Sequence, residues 1–368
     1  MWIKDLRVYQ FRNLVDSTVT FQPGVNLIIG QNGHGKTNCL EGISVISSSK
    51  SFRTSKLSEL IKWNKEEASI FSNVTFGDGL NRNIGLTFGK KTKQAYIDDS
   101  LVKSADDFIG LLACVTFTPD DLNLVKGGPA ERRRFMDRAL AFLDRRLIRT
   151  LTAYNTVVRS KNSLLKNIAG KPKTVILDEL DSWNRLIAKY GSEIELSRRD
   201  FIEKISIKAA NIYKSYSPEG EALEISLKSS RTKPTPSEYL LMEELSQAKE
   251  RELIRQQSLV GPHRDDILIL LSGIDANSFA SQGQTRSIVL ALKLALIEQI
   301  EESRGDAPII LLDDVDSELD QKRRESFFRC IVNNKRQVII SGTNAKVLPI
   351  SSSEINLLRM ENGLVSGN

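Results

Sequence analysis

The stretch VNLIIGQNGHGKT at residues 25–37 restricts the fold of this 368-residue chain more than any other. Its first five residues are an apolar run of the length of a buried strand. The run ends on Gly30, and Gly30, Gly35, Lys36 and Thr37 fill the template G-x-x-x-x-G-K-[ST]. Side chains in such a loop would collide with polyphosphate oxygens, whereas glycine lets backbone N–H groups turn inward around them. Gln31, Asn32, Gly33, His34 and Asn38 complete the cradle. Lys36 can reach the β- and γ-phosphates, and the Thr37 hydroxyl can ligate Mg²⁺. A helix over about 36–47 aims the positive end of its dipole at the same place. Four such fixed positions arise by chance in about one chain in a hundred of this length. An idle glycine-rich turn is therefore the weaker reading, and a nucleoside triphosphate site on an α/β fold the stronger.

A second strand supports the first. Ile309, Ile310, Leu311 and Leu312 run into Asp313 and Asp314. Asp313 is placed to hold Mg²⁺ through water opposite Thr37, and Asp314 to activate an attacking water. ATPases of this type usually carry a glutamate at the second position. A carboxylate one carbon shorter serves only if the water lies closer or the backbone shifts, so slow turnover is expected. Upstream, Ser281, Gln282, Gly283 and Gln284 precede a segment, 285–302, that is apolar almost all round between 288 and 297 and should be a buried helix. Alone, the tetrapeptide reads as a polar N-cap. At this spacing from Asp313 it matches the ATP-binding cassette signature. There the serine hydroxyl and helix N-terminal amides grip the γ-phosphate of a nucleotide held by a second subunit. Residues 317–320 resemble the loop that crosses between two such sites. Two copies closing head to tail over two ATP molecules, and loosening after hydrolysis, are the expected consequence.

Composition bounds the rest. An apolar content of 40% and a charged content of 27% suit a soluble protein with a substantial core. No run approaches twenty apolar residues, so no membrane span is expected. The opening MWIKDLR alternates like a strand and lacks a signal-peptide core. Cys39, Cys114 and Cys330 are scattered and odd in number, which argues against a disulfide framework or a zinc site and fits a reducing cytoplasm. Lys and Arg number 52 against 46 Asp and Glu, an excess that permits nucleic-acid binding without requiring it.

Patterning predicts strands over 2–9, 17–21, 25–29, 68–76, 81–88, 93–98 and 113–117, with turns at 77–79 and 89–91. From 120 to about 168 the period is helical, and Pro129 opens a helix after Gly127 and Gly128. That region carries Arg132, Arg133, Arg134, Arg138, Arg145 and Arg146, either a solvated face or a phosphate-contacting one. The stretch around Arg53, basic and polar with Phe52, reads from pattern as a surface loop. A loop at 170–172 separates this region from further helices over about 174–216. A strand at 223–227, a linker at 232–236 and a helix over 237–257 follow. Beyond them come a strand at 267–271, the signature helix, the acidic strand, a helix through about 332 and a core strand at 338–341. The last is a hairpin turning at Asn362 and Gly363. The expected architecture is an α/β nucleotide-binding head, 1–113 and 258–368, with an inserted, mostly helical lobe, 114–257. No heptad pattern persists, so that lobe should be compact rather than a long coiled coil.

Taken together these residues resemble the RecF family of bacterial recombination mediators, ATP-binding cassette proteins related to the heads of SMC chromosome proteins. The likeness rests on FRNL at 11–14, the phosphate loop, KSFRT at 50–54, FTPDDL at 117–122, and KGGP at 126–129 with Arg132, Arg133 and Phe135. GPHR at 261–264, SQGQ at 281–284 and residues 312–320 complete it. The resemblance implies an SMC-like P-loop head, ATP and Mg²⁺ as cofactors, ATP-dependent homodimerisation, and DNA binding with weak DNA-stimulated ATPase. It also implies work with RecR, and indirectly RecO, in loading RecA at gapped DNA, serving repair, replication and the SOS response. On this likeness Arg12 and Asn13 join the nucleotide site; the arginine-rich helix makes Arg133 and Arg134 DNA-contact candidates, and Arg53 is a third.

Two departures bear on mechanism. No glutamine stands in 117–121, where many cassette ATPases place a Mg²⁺ contact, and Ser341, Gly342 and Thr343 stand where a switch histidine is usual. Transporter motors, the main alternative, generally carry both missing residues and bind a membrane partner. An antiphage or nuclease ATPase would call for an attached nuclease domain, for which little chain remains after the last hairpin. A cohesin-like bridge would need long coiled arms.

Overall fold

The computed structural model describes residues 1–168, 172–215, 220–229, 231, 235–314, 321–332, 336–343 and 355–367. The chain divides into two compact units. The first is Met1–Leu122 with Asn211–Pro218 and Val289–Asn368; the second is Asn123–Ala210 with Glu219–Ile288.

The first unit begins with β1 (Trp2–Ile3), β2 (Asp5–Tyr9), β3 (Ser17–Thr20), β4 (Val25–Ile29) and helix α1 (Lys36–Ser48). There follow β5 (Glu67–Thr75), β6 (Asn81–Gly89), β7 (Lys93–Ile97), β8 (Ser100–Leu101), the short α2 (Ala105–Phe108) and β9 (Cys114–Phe117). Strands β3, β2, β5, β6, β7 and β8 form an antiparallel sheet in that order, with β1 paired to β5. Along β5 buried residues alternate with more exposed ones, as one-sided packing requires.

The second unit holds α3 (Asn123–Lys126), α4 (Pro129–Leu143), α5 (Leu147–Lys166), α6 (Lys173–Lys214) up to Ala210, β10 (Leu223–Lys228), α7 (Glu238–Arg255), β11 (Asp266–Leu271), β12 (Ile274–Asp275) and α8 (Ala276–Phe279). Its helices bury Leu151, Tyr154, Ile187, Leu241 and Leu245 in one cluster. Strands β10, β11 and β12 form a small antiparallel sheet. Helix α9 (Gln282–Arg304) follows, and the division between units falls inside it.

Back in the first unit come β13 (Ile309–Asp313), α10 (Gln321–Ile331), β14 (Val338–Gly342), β15 (Ile355–Glu361) and β16 (Leu364–Gly367). The core sheet runs β16-β15-β4-β14-β13-β9 and is parallel except for the last hairpin. Every residue of β9, β13 and β14 is buried, which explains their unbroken apolar runs. Helix α1 packs on β13 and β14 of this sheet and on β2, β5 and β6 of the other, so polar Glu41 and Ser44 are buried in it as well.

The α/β fold and most elements match expectation, but strand pairing places the unit boundaries elsewhere. Strand β9 pairs in register with β13 from Ile309↔Cys114 to Leu312↔Phe117, so residues 114–117 belong to the core sheet rather than to the helical insertion. At the other end β11 pairs with β10, which keeps 266–271 with the second unit instead of the head. Periodicity identifies a strand without revealing its partner, and the partner decides the unit. The expected strand at 2–9 is broken at Lys4, and α2, β12 and α8, each of two to four residues, went unforeseen. The expected loop at 170–172 and linker at 232–236 lie largely outside the described residues.

Candidate functional site: a phosphate loop and a signature helix

Strand β4 delivers the chain to Gly30 at the edge where β15 runs beside it. A Cβ on Gly30 would sit 2.3 Å from the Met360 carbonyl oxygen, a clash with backbone that no rotamer relieves. Gly35 caps α1 with φ +107°, in the left-handed region, and a Cβ there would meet Leu14 at 2.8 Å. These two glycines are thus required by the fold of the loop itself. The final hairpin braces the loop: Gly363 N donates to the His34 carbonyl (2.9 Å), and Asn362 N to His34 Nδ1 (3.4 Å).

Lys36 is almost buried, and its ammonium donates to the carbonyls of Gly30 (2.7 Å) and Gln31 (3.1 Å). Thr37 Oγ1 donates to Asp313 Oδ1 at 2.8 Å, and Ser341 Oγ donates to the same oxygen at 2.7 Å. Burial pushes the Asp313 carboxyl above its ordinary range, the bonds from Ser341 and Thr37 pull it back, and neighbouring Asp314 pushes it up again. Asp314 is exposed, with φ 55°, and its N–H reaches Ser341 Oγ at 3.2 Å. A non-glycine residue in that region carries backbone strain of the kind often found where a side chain must be aimed.

Asn32, Gly33, Gly35, Lys36, Thr37, Asn38, Arg53, Asp314 and Ser341 line a cavity of about 300 Å³, at the low end for ligand sites and suited to the polyphosphate part of a nucleotide. Lys36 and Arg53 bring positive charge into it. Thr37 and Asp313 are oxygen donors of the kind that could hold Mg²⁺ alongside phosphate oxygens and water, since this ion is rarely held by an all-protein cage. Among the described residues no group of three or more His, Cys, Asp or Glu forms such a cage.

Two residues assigned to the nucleotide lie behind the loop. Asn13 Nδ2 donates to the Gly33 carbonyl (2.9 Å) and its Oδ1 accepts from Asn38 Nδ2 (2.7 Å). Arg12 forks onto Glu41 with Nε at 3.0 Å and Nη2 at 2.9 Å, and does not line the cavity. Arg53, expected on DNA, lines the cavity instead, with Nη1 2.9 Å from Asn38 Oδ1 and 3.7 Å from Glu41. Glu41, fully buried, also accepts from Ser51 Oγ at 2.5 Å. Sequence reasoning misses Glu41 and marks Ser341 only as standing where a switch histidine is usual, not as a partner of Asp313. A carboxylate inside an apolar helix signals the first; the second stands beside Asp313 across the β13–β14 ladder. Nearby Cys39 is buried, and its thiol is pushed up to about 12, which keeps it protonated and unreactive.

In the second unit the signature tetrapeptide opens α9. Ser281 N donates to Gln284 Oε1 (2.8 Å) and Gln284 N to Ser281 Oγ (3.2 Å), a reciprocal capping box. Gln284 Nε2 also holds Glu221 at 2.8 Å. Ser281 and Gln282 are exposed; Gly283 and Gln284 are half-buried. The N-cap reading is therefore realised, and the cap still leaves the serine and the helix start open to solvent.

The arginines of α4 divide. Arg132 is buried and forks onto Asp266 (2.6 and 2.9 Å). Arg133 is half-buried and donates to the Asp265 carbonyl at 2.9 Å, while Arg134 is exposed and paired with Glu131. Only Arg134 of these three presents the free outer face a phosphate contact needs. Residues 317–320 lie outside the described residues. Among the described residues no helix is long and apolar enough to cross a membrane.

The family profile described as RecF/RecN/SMC N terminal domain matches residues 2–366. The chain is 38% identical to the DNA replication and repair protein RecF of Desulfitobacterium hafniense, over 99% of both chains. It is 35% identical to the RecF protein of Limosilactobacillus reuteri, over 100% of this chain and 99% of the relative. Among solved structures, the recombination mediator protein RecF bound to ATP, from the RecFOR pathway, superposes with a TM-score of 0.89 at 31% identity, covering 100% of this chain and 97% of that one. An Smc head bound to the C-terminal domain of ScpA from Pyrococcus furiosus shares the fold at a TM-score of 0.55 and 16% identity, over 99% of this chain and 95% of that one.

Proposed function

This chain belongs to the RecF family, and from that membership and the geometry above we propose that it is an ATP-switched DNA-binding protein of replication and repair. Its resting form binds ATP in the phosphate loop. Gly30 and Gly35 let the loop take its shape, and Lys36 gives up its two carbonyl partners to neutralise the phosphates. Thr37 and Asp313 would hold Mg²⁺, which supplies neutralisation of charge on the phosphate oxygens when bound. Ser341 keeps the Asp313 oxygen aimed, and Asp314 orients the attacking water.

In a head-to-tail pair, Ser281 and the first amides of α9 from a second copy would cover the γ-phosphate. Hydrolysis removes the group both copies hold, so the closed state is favoured only while the triphosphate is intact. The short reach of Asp314 makes the ATPase slow. The clamp so formed binds single-stranded, gapped or duplex DNA and acts with RecR, and indirectly RecO, in placing RecA, in recombinational repair, replication and SOS induction. Localisation follows in the cytoplasm. Membrane partners have no part in this reading.

The observation that carries it is the exposure of Ser281 at the head of α9, a γ-phosphate grip without a phosphate loop of its own in that unit. Light scattering with and without ATP, followed by binding to gapped, single-stranded and duplex DNA at several salt concentrations, tests it. The reading expects dimers only with ATP and tighter, salt-dependent DNA binding in that state. Monomers throughout, or DNA affinity indifferent to ATP, would overturn it.

A further inference from the structure

The KGGP turn at 126–129 opens α4 and belongs to the family likeness, and nothing in the nucleotide site uses it. Its contacts within the second unit are specific. Lys126 Nζ donates to the carbonyls of Ala276 (3.2 Å) and Asn277 (3.0 Å), so its ammonium sits on the backbone of α8. Asn277 returns the contact: its Nδ2 donates to the carbonyls of Val125 (2.7 Å) and Gly127 (3.1 Å). Arg132 reaches the same two carbonyls with Nη1, at 3.3 and 2.8 Å, while the rest of its fork holds Asp266 at the start of β11. A Cβ on Gly127 would lie 2.4 Å from the Asn123 carbonyl oxygen, so the turn admits only glycine.

Helix α8 is a single turn, too short to hold its own orientation. Only Ala280 separates its end at Phe279 from Ser281, and Thr285 N donates to the Ser281 carbonyl at 2.8 Å as α9 begins. The direction in which Ser281 and the first amides of α9 face is therefore inherited from α8, and α8 is held from the other side by Lys126.

We propose that Lys126 and Asn277 are positioning residues for the signature serine, a reciprocal side-chain-to-backbone clasp that aims the head of α9. The proposal rests on the composite-site reading above. It touches no nucleotide directly, so its signature is a split: ATP affinity of the monomer, set by residues of the other unit, stays the same, while ATP-driven association weakens.

The test uses the full chain with Lys126→Met, which keeps the aliphatic stem and removes the donors, and Asn277→Asp, which keeps the shape and replaces two donors with acceptors. Lys126→Arg serves as the conservative variant and Ser281→Arg as the control. Fluorescent ATP binding is read at protein concentrations below association, dimerisation by light scattering, and amide hydrogen exchange at 281–284 in the absence of nucleotide. Loss of a charge-assisted donor should raise the concentration for half-dimerisation about tenfold or more in Lys126→Met. Asn277→Asp should behave likewise, exchange at 281–284 should be faster in both, and Lys126→Arg should restore wild-type association.

Wild-type association and exchange in Lys126→Met and Asn277→Asp, with Ser281→Arg unable to dimerise, would overturn the clasp and leave the composite site standing. Normal association of Ser281→Arg would remove the composite site itself. An equal loss of monomer ATP affinity in both clasp variants would mark a general folding role and also overturn the proposal. Should Lys126→Met fail to fold, Asn277→Asp and Lys126→Arg carry the same comparison.

Discussion

The phosphate loop and the head of α9 are finished to different degrees. At the loop, Lys36 rests on two carbonyls, Thr37 and Ser341 converge on one oxygen of Asp313, and the glycines are held by the walls of their own unit. At the head of α9, a capping box ties Ser281 to Gln284 and stops there, leaving the serine exposed. The first arrangement has its backbone pre-organised, so a ligand need only draw the Lys36 ammonium off its carbonyls. The second is held from behind and open in front, the state of a surface awaiting a counterpart.

That contrast can be broken most directly at Lys36. Lys36→Ala should lower ATP affinity about a hundredfold or more, because among the described residues no other side chain puts a buried ammonium on the loop; titration of labelled ATP reads it. A loss of less than a few fold would mean the loop is not where the phosphates sit. Next in size, Ser281→Arg should abolish ATP-driven dimers seen by light scattering, because the new side chain fills the open face. Persisting dimers would erase the difference between the two regions.

Arg53 sharpens the first half. It lines the cavity, so Arg53→Ala should weaken ATP binding about fivefold while leaving DNA affinity without nucleotide unchanged. A fall in nucleotide-free DNA affinity would return Arg53 to the DNA face. On α4, Arg134→Glu should reduce DNA affinity a few fold and lower the salt slope by about one phosphate contact. Arg133→Glu should instead lower the melting temperature, because its donor to the Asp265 carbonyl is internal. Equal salt slopes for Arg134→Glu and wild type would make Arg134 a solvated side chain with no phosphate contact.

The smallest expected effect concerns His263 in the second unit. Its Nδ1 faces the Tyr154 hydroxyl at 2.7 Å and its Nε2 the Ser258 carbonyl at 3.3 Å. Burial first, with Arg264, Lys161 and Arg133 adding to it, lowers its pKa from 6.5 to about 3. The unfolded chain therefore takes up this proton before the folded one, and stability falls as pH drops below about 6.5 toward 3. Between pH 7 and pH 5 the loss should be on the order of 2 kcal/mol, and His263→Gln should flatten that part of a melting-temperature profile. An unchanged profile would show that His263 titrates normally.

Legibility followed distance along the chain. Gly30 to Thr37, Asp313 and the capping box at 281–284 are local patterns whose spacing carries their meaning. Glu41, Ser341 and Met360 depend on neighbours far away in sequence: Glu41 on Arg12, Ser341 on Asp313 and Met360 on Gly30. The likeness assigns Arg12 to the nucleotide, yet its side chain goes to Glu41. The arginines of α4 look alike in sequence, and only the positions of Asp265 and Asp266 sort them into buried ties and a free face.

By itself the sequence determined the chemistry available to this chain: a loop of glycines before a lysine, a carboxylate closing an apolar strand, and a serine heading a long helix. Those depend on residue type and short spacing, which survive any rearrangement of the rest. Tertiary structure alone decided which groups are already satisfied and which face outward, because hydrogen-bond partners and burial are set by strands and helices that meet only after folding. That is why Arg53 moved into the nucleotide cavity, β9 into the core sheet, and Lys126 onto the turn that aims Ser281.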